Sequence, residues 1–390
     1  MKIGVIFTGG TIGSAEKGGH IAPQEGGAER LLKCISGIEM EDEWIHITDS
    51  QCMRENGVLE EVSYEVSSPM MILSENNTGL AIKNMKESIE HVLCQPDLDG
   101  VIITHGTDTL VYTSAALGYL FADSEIPIVL VSSNYVLDNP LANGWDNFRY
   151  GVAFIAHLLR QNRESACDER IPKGVFVSYQ NADRVPRIHR GTALITHQAY
   201  SDEVFSVLDN EYGCFEKDGE RCRFVKGQCQ DAEFSITKSR AQPNLKEPST
   251  WNAPILQIYP YPGMEYPPIP AHIKAILHHS YHSGTICMDK ESNAKKFFEE
   301  AKRRGIPVFL SSAYGVHESC ASHESHRADK VHKSRAEYES TKAFKQMGII
   351  TLPPASPVAV YMKLWLLISA EENLAVWMKR EIPGDICITV

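Results

Sequence analysis

The residues best placed to do chemistry are two threonines, each set behind glycine at the end of an apolar run. The first run, Lys2-Ile3-Gly4-Val5-Ile6-Phe7, leads into Thr8-Gly9-Gly10-Thr11-Ile12-Gly13. The second, Val101-Ile102-Ile103-Thr104, leads into His105-Gly106-Thr107-Asp108-Thr109 about a hundred residues later. An alcohol is a weak nucleophile at its free pKa and needs a neighbouring base. Asp108 sets an ionisable group next to a second hydroxyl, that of Thr107. Gly9 and Gly10 let the backbone turn sharply and let a ligand come close to the main chain. Backbone N–H groups in such loops suit a developing oxyanion. The pair of motifs points to Thr11 as a nucleophile. The plainer alternatives are a capping role for Thr11 in a tight turn, and an N-cap at Asp108-Thr109 for a helix over Leu110–Phe121. No GK[ST] follows the glycines and no GxGxxG fingerprint fits, so nucleotide-binding loops are excluded.

Both runs read as buried parallel strands that deliver their loops to one edge of a sheet, where open α/β folds bind ligands. Further strands are expected at Trp44–Thr48, Ile126–Val131 and Gly174–Ser178. Helices are expected over Gly79–Cys94, on the spacing of Leu80, Ile82, Met85, Ile89 and Val92, and over Asn147–Arg160. The pattern fades between Val225 and Ser249, which contains Pro243 and Pro248, and resumes with Pro254–Tyr259. After it come a strand at Ala275–Leu277, a helix over Glu291–Arg304, a strand at Ile306–Leu310 and a helix over Ala336–Met347. The expected organisation is a larger layered α/β domain over residues 1–225, a linker over 226–250 and a smaller α/β domain over 251–390.

At 390 residues, with 43% hydrophobic and 23% charged, the chain has the composition of an ordinary globular protein. Its formal charge of -12 disfavours nucleic acid as a partner. No apolar stretch is long enough to span a bilayer, so no membrane role is expected. Ten cysteines without CxxC pairs, and a start that runs straight into a strand, suggest a cytoplasmic location.

The two motifs, TGGTI at Thr8–Ile12 and HGTDT at His105–Thr109, together resemble the bacterial-type L-asparaginase family. The resemblance extends more loosely through the rest of the chain. It implies a two-domain asparaginase-like α/β fold, with the larger layered domain first. It implies that Thr11 attacks a side-chain amide to form an acyl-enzyme, with Thr107 and Asp108 as the second catalytic pair. It also implies that Asp49-Ser50-Gln51-Cys52-Met53 is the loop whose Ser50 and Gln51 contact the substrate's α-amino and α-carboxylate groups. Gly10, Gly106 and Ser133 would line the pocket by their main chains. Neither a metal nor an organic cofactor is implied. The family's members are homodimers or homotetramers in which a neighbour's C-terminal domain closes the pocket.

Two departures stand out. The family's lysine follows a stretch to which Arg190-Gly191-Thr192-Ala193-Leu194-Ile195-Thr196-His197 is nearest, and Thr196 stands where lysine is expected. Arg187 and Arg190 carry charge but a guanidinium is no base. His197 titrates in a useful range, yet alternation along a strand would turn it away from its neighbour's side. The family's lid tyrosine is also absent from Glu16–Pro23, and His20 takes its approximate place as a speculative base for Thr11. In the C-terminal part, His278, His279 and His282 cluster, and His317, His323, His326 and His332 fall within Ala313–Ser334. His323 and His326 are spaced to share a helix face. Without an H-E-x-x-H motif or a carboxylate cluster, a solvated insertion fits better than zinc.

The expected function is hydrolysis of L-asparagine or a related small-molecule amide to the acid and ammonia. A weakly active amino-acid-binding paralogue and an ammonia-supplying amidotransferase subunit remain open beside it.

Overall fold

The computed structural model describes residues 1–24, 26, 29–41, 43–48, 59–164, 173–198, 200–227, 230–231, 242–311 and 338–387. The chain divides into two compact units, Met1–Cys229 and Gln230–Val390.

In the first unit the strands are β1 (Lys2–Phe7), β2 (Ser14–Lys17), β3 (His20–Pro23), β4 (Gly37–Glu41), β5 (Trp44–Thr48), β6 (Leu59–Glu61) and β7 (Ser63–Ser67). They continue with β8 (Gly100–Thr104), β9 (Ile128–Val131), β10 (Val175–Gln180), β11 (Pro186–Arg190), β12 (Gly213–Asp218) and β13 (Arg221–Lys226). The helices are α1 (Glu29–Leu32), α2 (Gly79–Leu93), α3 (Leu110–Leu120) and α4 (Gly144–Glu164). Among the described residues the main sheet runs β6-β4-β5-β13-β12-β11-β10-β9-β8-β1-β7.

The part that positions the site is the parallel block β7, β1, β8, β9 and β10. Every residue of β8, β9 and β10 is buried, which is why their sequences are almost continuously apolar rather than alternating. Taken in chain order, these strands lie 2-1-3-4-5 across the sheet. The first connection from β1 therefore goes to one side and the next crosses to the other. That makes the gap between the C-terminal ends of β1 and β8 the topological switch point, where doubly wound sheets bind ligands.

The helix α2 begins at the N-cap Thr78, whose hydroxyl accepts from Ala81 N–H at 3.4 Å. It buries Ile82, Met85, Ile89 and Val92, each contributing about 1.5–3 kcal/mol of transfer free energy. Leu80, assigned to the same stripe from its spacing, is instead 61% exposed. In α3 every residue except Tyr112 is buried. Its polar members are satisfied within the protein: Ser114 Oγ donates to Gly191 O at 3.0 Å, tying α3 to the chain after β11.

In the second unit β14 (Gln230–Asp231) pairs with β19 (Ile386–Cys387), and a four-stranded parallel sheet has the order β15 (Ile255–Ile258), β16 (Ala275–His279), β17 (Val308–Ser311), β18 (Ile350–Thr351). Residues 242–250, within the stretch expected as a linker, are tied into this unit. Asn244 N–H donates to Glu372 Oε1 at 2.7 Å and Ser249 N–H to Ser369 O at 2.9 Å. His278 and His279 are core residues. His278 donates through Nδ1 to His279 O at 2.6 Å and accepts from Tyr266 OH at 2.8 Å, while Tyr259 stacks on His279 at 4.1 Å. Burial holds both rings down to about 4, so they are neutral. His282 is exposed, and His317, His323, His326 and His332 lie outside the described residues.

Candidate active site

The loop after β1 is built around Gly10. Its N–H donates to Ile72 O at 2.8 Å, and its carbonyl accepts from Gly13 N–H at 3.0 Å and from Ser14 Oγ at 2.7 Å. These bonds fold Thr11–Gly13 into one tight helical turn with Gly10 at its N-cap, at a φ of 72° that favours glycine. Thr11 is thus the turn's first residue and not its cap, so its hydroxyl has no structural task there. Because the Gly10 N–H is already committed to Ile72, it cannot serve an oxyanion. Among the described residues the N–H groups of Thr11 and Thr107 have no internal acceptor and face no such competition.

The loop after β8 is clamped by its own histidine. Asn77 Nδ2 donates to Thr113 Oγ1 at 2.8 Å, Thr113 Oγ1 donates to His105 Nε2 at 2.9 Å, and His105 Nδ1 donates to Gly106 O at 2.7 Å. Complete burial holds His105 near 4, so the ring is neutral and the direction of this chain is fixed. Thr109 spends its hydroxyl on Ser74 O at 2.9 Å and leaves the α3 cap without a side-chain bond. Thr109 thus stands at the N-cap of α3, within the expected pair Asp108-Thr109, but its hydroxyl accepts from Asn77 Nδ2 at 3.3 Å and makes no capping bond. Thr107 is half-buried and Asp108 exposed, and neither side chain has an internal hydrogen bond among the described residues.

The two loops touch through glycine. A Cβ on Gly10 would lie 2.3 Å from Gly106 N, and one on Gly106 would lie 2.4 Å from Ser74 Oγ. Thr11 and Thr107 each follow one of these touching glycines, so Thr11, Thr107 and Asp108 stand on adjoining loops at the switch point. Sequence reasoning missed the third wall of this junction, Ile72–Asn77. The polar run Ser74-Glu75-Asn76-Asn77-Thr78 ahead of α2 was the available signal.

Ser133, at the end of β9, is buried; its hydroxyl donates to Tyr135 O at 2.6 Å and accepts from Gly144 N–H at 3.1 Å, leaving only its main chain for a ligand. His20 is exposed and pairs with Lys17 across the two-residue turn Gly18-Gly19. That is three strand residues beyond Ser14, about 10 Å along the ribbon. Ser50 and Gln51 lie outside the described residues. Arg187 is engaged by Asp183 and Glu211, and Arg190 lies 4.3 Å over the Phe176 ring, so neither guanidinium is spare for the site.

The geometry of His197 is not that of an alternating strand. After the isolated bridge Leu194↔Ser206 the chain leaves sheet pairing. Thr196 is exposed, while the His197 ring is half-buried, lies near the Thr107 main chain and feels the charge of Asp108. Thr196 and His197 do face different ways, and of the two it is His197 that lies near the second loop.

An open α/β sheet carrying paired, glycine-presented threonines at its switch point defines a class of hydrolase site. The sequence profile of the asparaginase N-terminal domain matches residues 2–202, more than half of the chain. The chain belongs to the asparaginase family. It is similar to the L-asparaginase of Thermococcus kodakarensis, 29% identical over 155 residues that make up 40% of either chain. It is also similar to a subunit of the glutamyl-tRNA(Gln) amidotransferase of Methanosarcina barkeri, 34% identical over 139 residues, 36% of this chain and 30% of that one. The matched stretches thus span well under half of these relatives. The solved structure of the thermostable T. kodakarensis L-asparaginase covers 100% of both chains with a TM-score of 0.66 at 20% identity. That of L-asparaginase I from Vibrio cholerae covers 99% of both with a TM-score of 0.62 at 19% identity. At such identities these structures establish the two-domain asparaginase fold, as the sequence suggested.

Proposed function

We propose that this protein hydrolyses the side-chain amide of L-asparagine, or of a closely related amino-acid amide, through a threonine acyl-enzyme. The observation that carries the reading is the Gly10–Gly106 junction, which brings Thr11, Thr107 and Asp108 to one switch point. Thr11 Oγ1 bonds to the amide carbon as its proton passes toward the Thr107–Asp108 pair. The oxyanion is met by loop N–H groups that have no internal acceptor. Collapse breaks the C–N bond, ammonia leaves with the returned proton, and water then cleaves the ester to give the acid and restore threonine. Family membership and the L-asparaginase relatives support the reaction class. Ser50, Gln51 and the main chains at Gly10, Gly106 and Ser133 complete the proposed pocket. His20 is assigned no proton, because it is exposed at a hairpin tip.

The reading includes a homodimer or homotetramer, and light scattering that found only monomer would count against it. Its main test is ammonia release from L-asparagine, L-glutamine, D-asparagine and a small amide panel. Turnover abolished by Thr11→Ala supports the assignment; turnover surviving that change overturns it. The amidotransferase relatives favour a second reading, in which the ammonia is handed to a partner's transfer-RNA-linked substrate. That reading requires turnover that rises sharply only when a partner chain is supplied.

A further inference from the structure

Near Thr107 and Asp108 stands a histidine held between two backbone carbonyls, those of Glu203 and Thr107. His197 Nδ1 lies 3.0 Å from Glu203 O. A carbonyl can only accept, so Nδ1 carries the proton and Nε2 carries the lone pair. That Nε2 is buried and makes no hydrogen bond among the described residues. The Thr107 carbonyl, which already accepts from Leu110 N–H at 3.2 Å, lies near the ring without closing a bond of normal geometry. A buried lone pair without a donor is a cost that His105 avoids and that the core residue His189 shares; His197 differs from His189 in lying beside the Thr107 loop.

The support beneath the ring is rigid. Tyr179 OH donates to Asp202 O, and Asn181 brackets Val204, donating to its carbonyl at 2.9 Å and accepting from its N–H at 2.9 Å. Glu203, whose carbonyl holds the ring, sits between those two anchored residues. The other strand of this turn is held by Ile195 N–H donating to Phe205 O at 3.0 Å. The ring is therefore fixed from the end of β10.

We propose that His197 is the proton store of the site: its Nε2 takes the proton that Thr107 passes on from Thr11 and returns it to the departing ammonia. This rests on the amidohydrolase reading. In the acylation step Thr11 Oγ1 forms the C–O bond, its proton moves to Thr107 Oγ1, and the Thr107 proton moves to Nε2. When the C–N bond breaks, Nε2 returns its proton to Thr107 Oγ1 and the Thr107 proton passes to the amide nitrogen, which leaves as ammonia. Water repeats the cycle in deacylation. His197 touches no substrate, so it is a positioning residue acting through Thr107 and Asp108. Burial lowers its pKa from the ordinary histidine value, so the ring rests neutral with its lone pair able to accept; the charges of Asp108 and Asp202 oppose that shift and favour the protonated ring.

The test pairs kinetics with ring titration. His197→Asn keeps a donor toward Glu203 O but has no basic Nε2, so kcat should fall by about 100-fold with KM nearly unchanged. The acid limb of the wild-type pH profile should vanish with it. Followed by NMR in the whole protein, the His197 ring should titrate below the ordinary value, and lower still in Asp108→Asn. Unchanged kcat in His197→Asn, or a ring titration indifferent to Asp108→Asn, overturns the proposal. Turnover surviving Thr11→Ala would instead defeat the amidohydrolase reading. The titration needs no turnover and still decides whether His197 couples to Asp108.

Discussion

Gly10 and Gly106 are in backbone contact: a Cβ built on Gly10 would fall 2.3 Å from Gly106 N and 2.4 Å from Gly106 Cα. No side chain at position 10 fits this junction, and nothing flexible lies there to move aside. The contact fixes the spacing of two loops that arrive from strands β1 and β8. It therefore fixes where Thr11 and Thr107 stand relative to one another. Glycine here is a requirement of the site's geometry before it is a requirement of any ligand.

Gly10→Ala should cost about 1–3 kcal/mol in stability by overpacking against backbone, with further strain from the positive φ. It should also abolish amide turnover. Gly106→Ala meets the Ser74 side chain at 2.4 Å, an atom that can be removed. Thermal melts should show Ser74→Gly restoring much of the stability lost in Gly106→Ala and none of that lost in Gly10→Ala. Equal rescue of both would mean that the loops do not meet as described.

Stability should fall with acid well before the carboxylates titrate. His105 has a folded pKa near 4, His157 near 4 and His189 near 3, all lowered from 6.5 by burial. For a histidine depressed in the folded state, the unfolded chain binds the proton first. The stability it contributes is whole above pH 6.5 and is lost as pH falls toward the folded value. At about 1.4 kcal/mol per unit, His105 alone removes roughly 3 kcal/mol by pH 4. Asp183 acts in the same direction in a lower window: its pKa is lowered from 3.8 by the Arg187 hydrogen bond, so its contribution is lost only below that value. Urea midpoints between pH 7.5 and 4.5 should decline steadily below about pH 6.5. A flat series would show that these rings are not buried as described.

What the sequence made legible was local. Continuous β-branched runs marked β1 and β8, and the helical spacing of Ile82, Met85 and Ile89 marked α2, because burial on both faces or on one stripe writes itself into neighbouring residues. The parts that escaped are non-local. Nothing about Ser74 reveals that it packs on Gly106, or that its carbonyl takes the Thr109 hydroxyl. For His197, alternation separates it from Thr196 but does not say which of the two approaches the Thr107 loop. The clustering of His278 and His279 is visible in sequence, but not that Tyr266 and the His279 carbonyl satisfy the His278 ring within the core.

The buried pair in the second unit should be costly to break from one side. Lys363 Nζ donates to Asp385 Oδ2 at 2.6 Å and to Arg380 O at 2.8 Å, with side chains only 8% and 15% exposed. Lys363→Met takes the cation away from the Asp385 carboxylate, which also accepts from Ile382 N–H at 2.8 Å. The expected loss is about 3–5 kcal/mol. Adding Asp385→Leu should recover most of it in a double-mutant cycle. If Lys363→Met alone is neutral in denaturant melts, the ion pair is solvated and this account of it is incorrect.

Asn181 offers a way to disturb the site without touching it. Its amide makes both backbone bonds of Val204, and its side chain is 6% exposed. Asn181→Ala leaves a buried N–H and a buried carbonyl without their partner, about 1–3 kcal/mol each. The Glu203 carbonyl that orients His197 loses its footing at the same time. Asn181→Asp keeps the acceptor for Val204 N–H and loses only the donor to its carbonyl. The rate constant kcat should therefore fall in the order wild type, Asn181→Asp, Asn181→Ala, with KM for the amide changing far less. In a His197→Asn background the same two changes should have almost no further effect on kcat, because the residue they position is already gone. Full additivity of the losses would mean that Asn181 supports the fold without supporting the proton store.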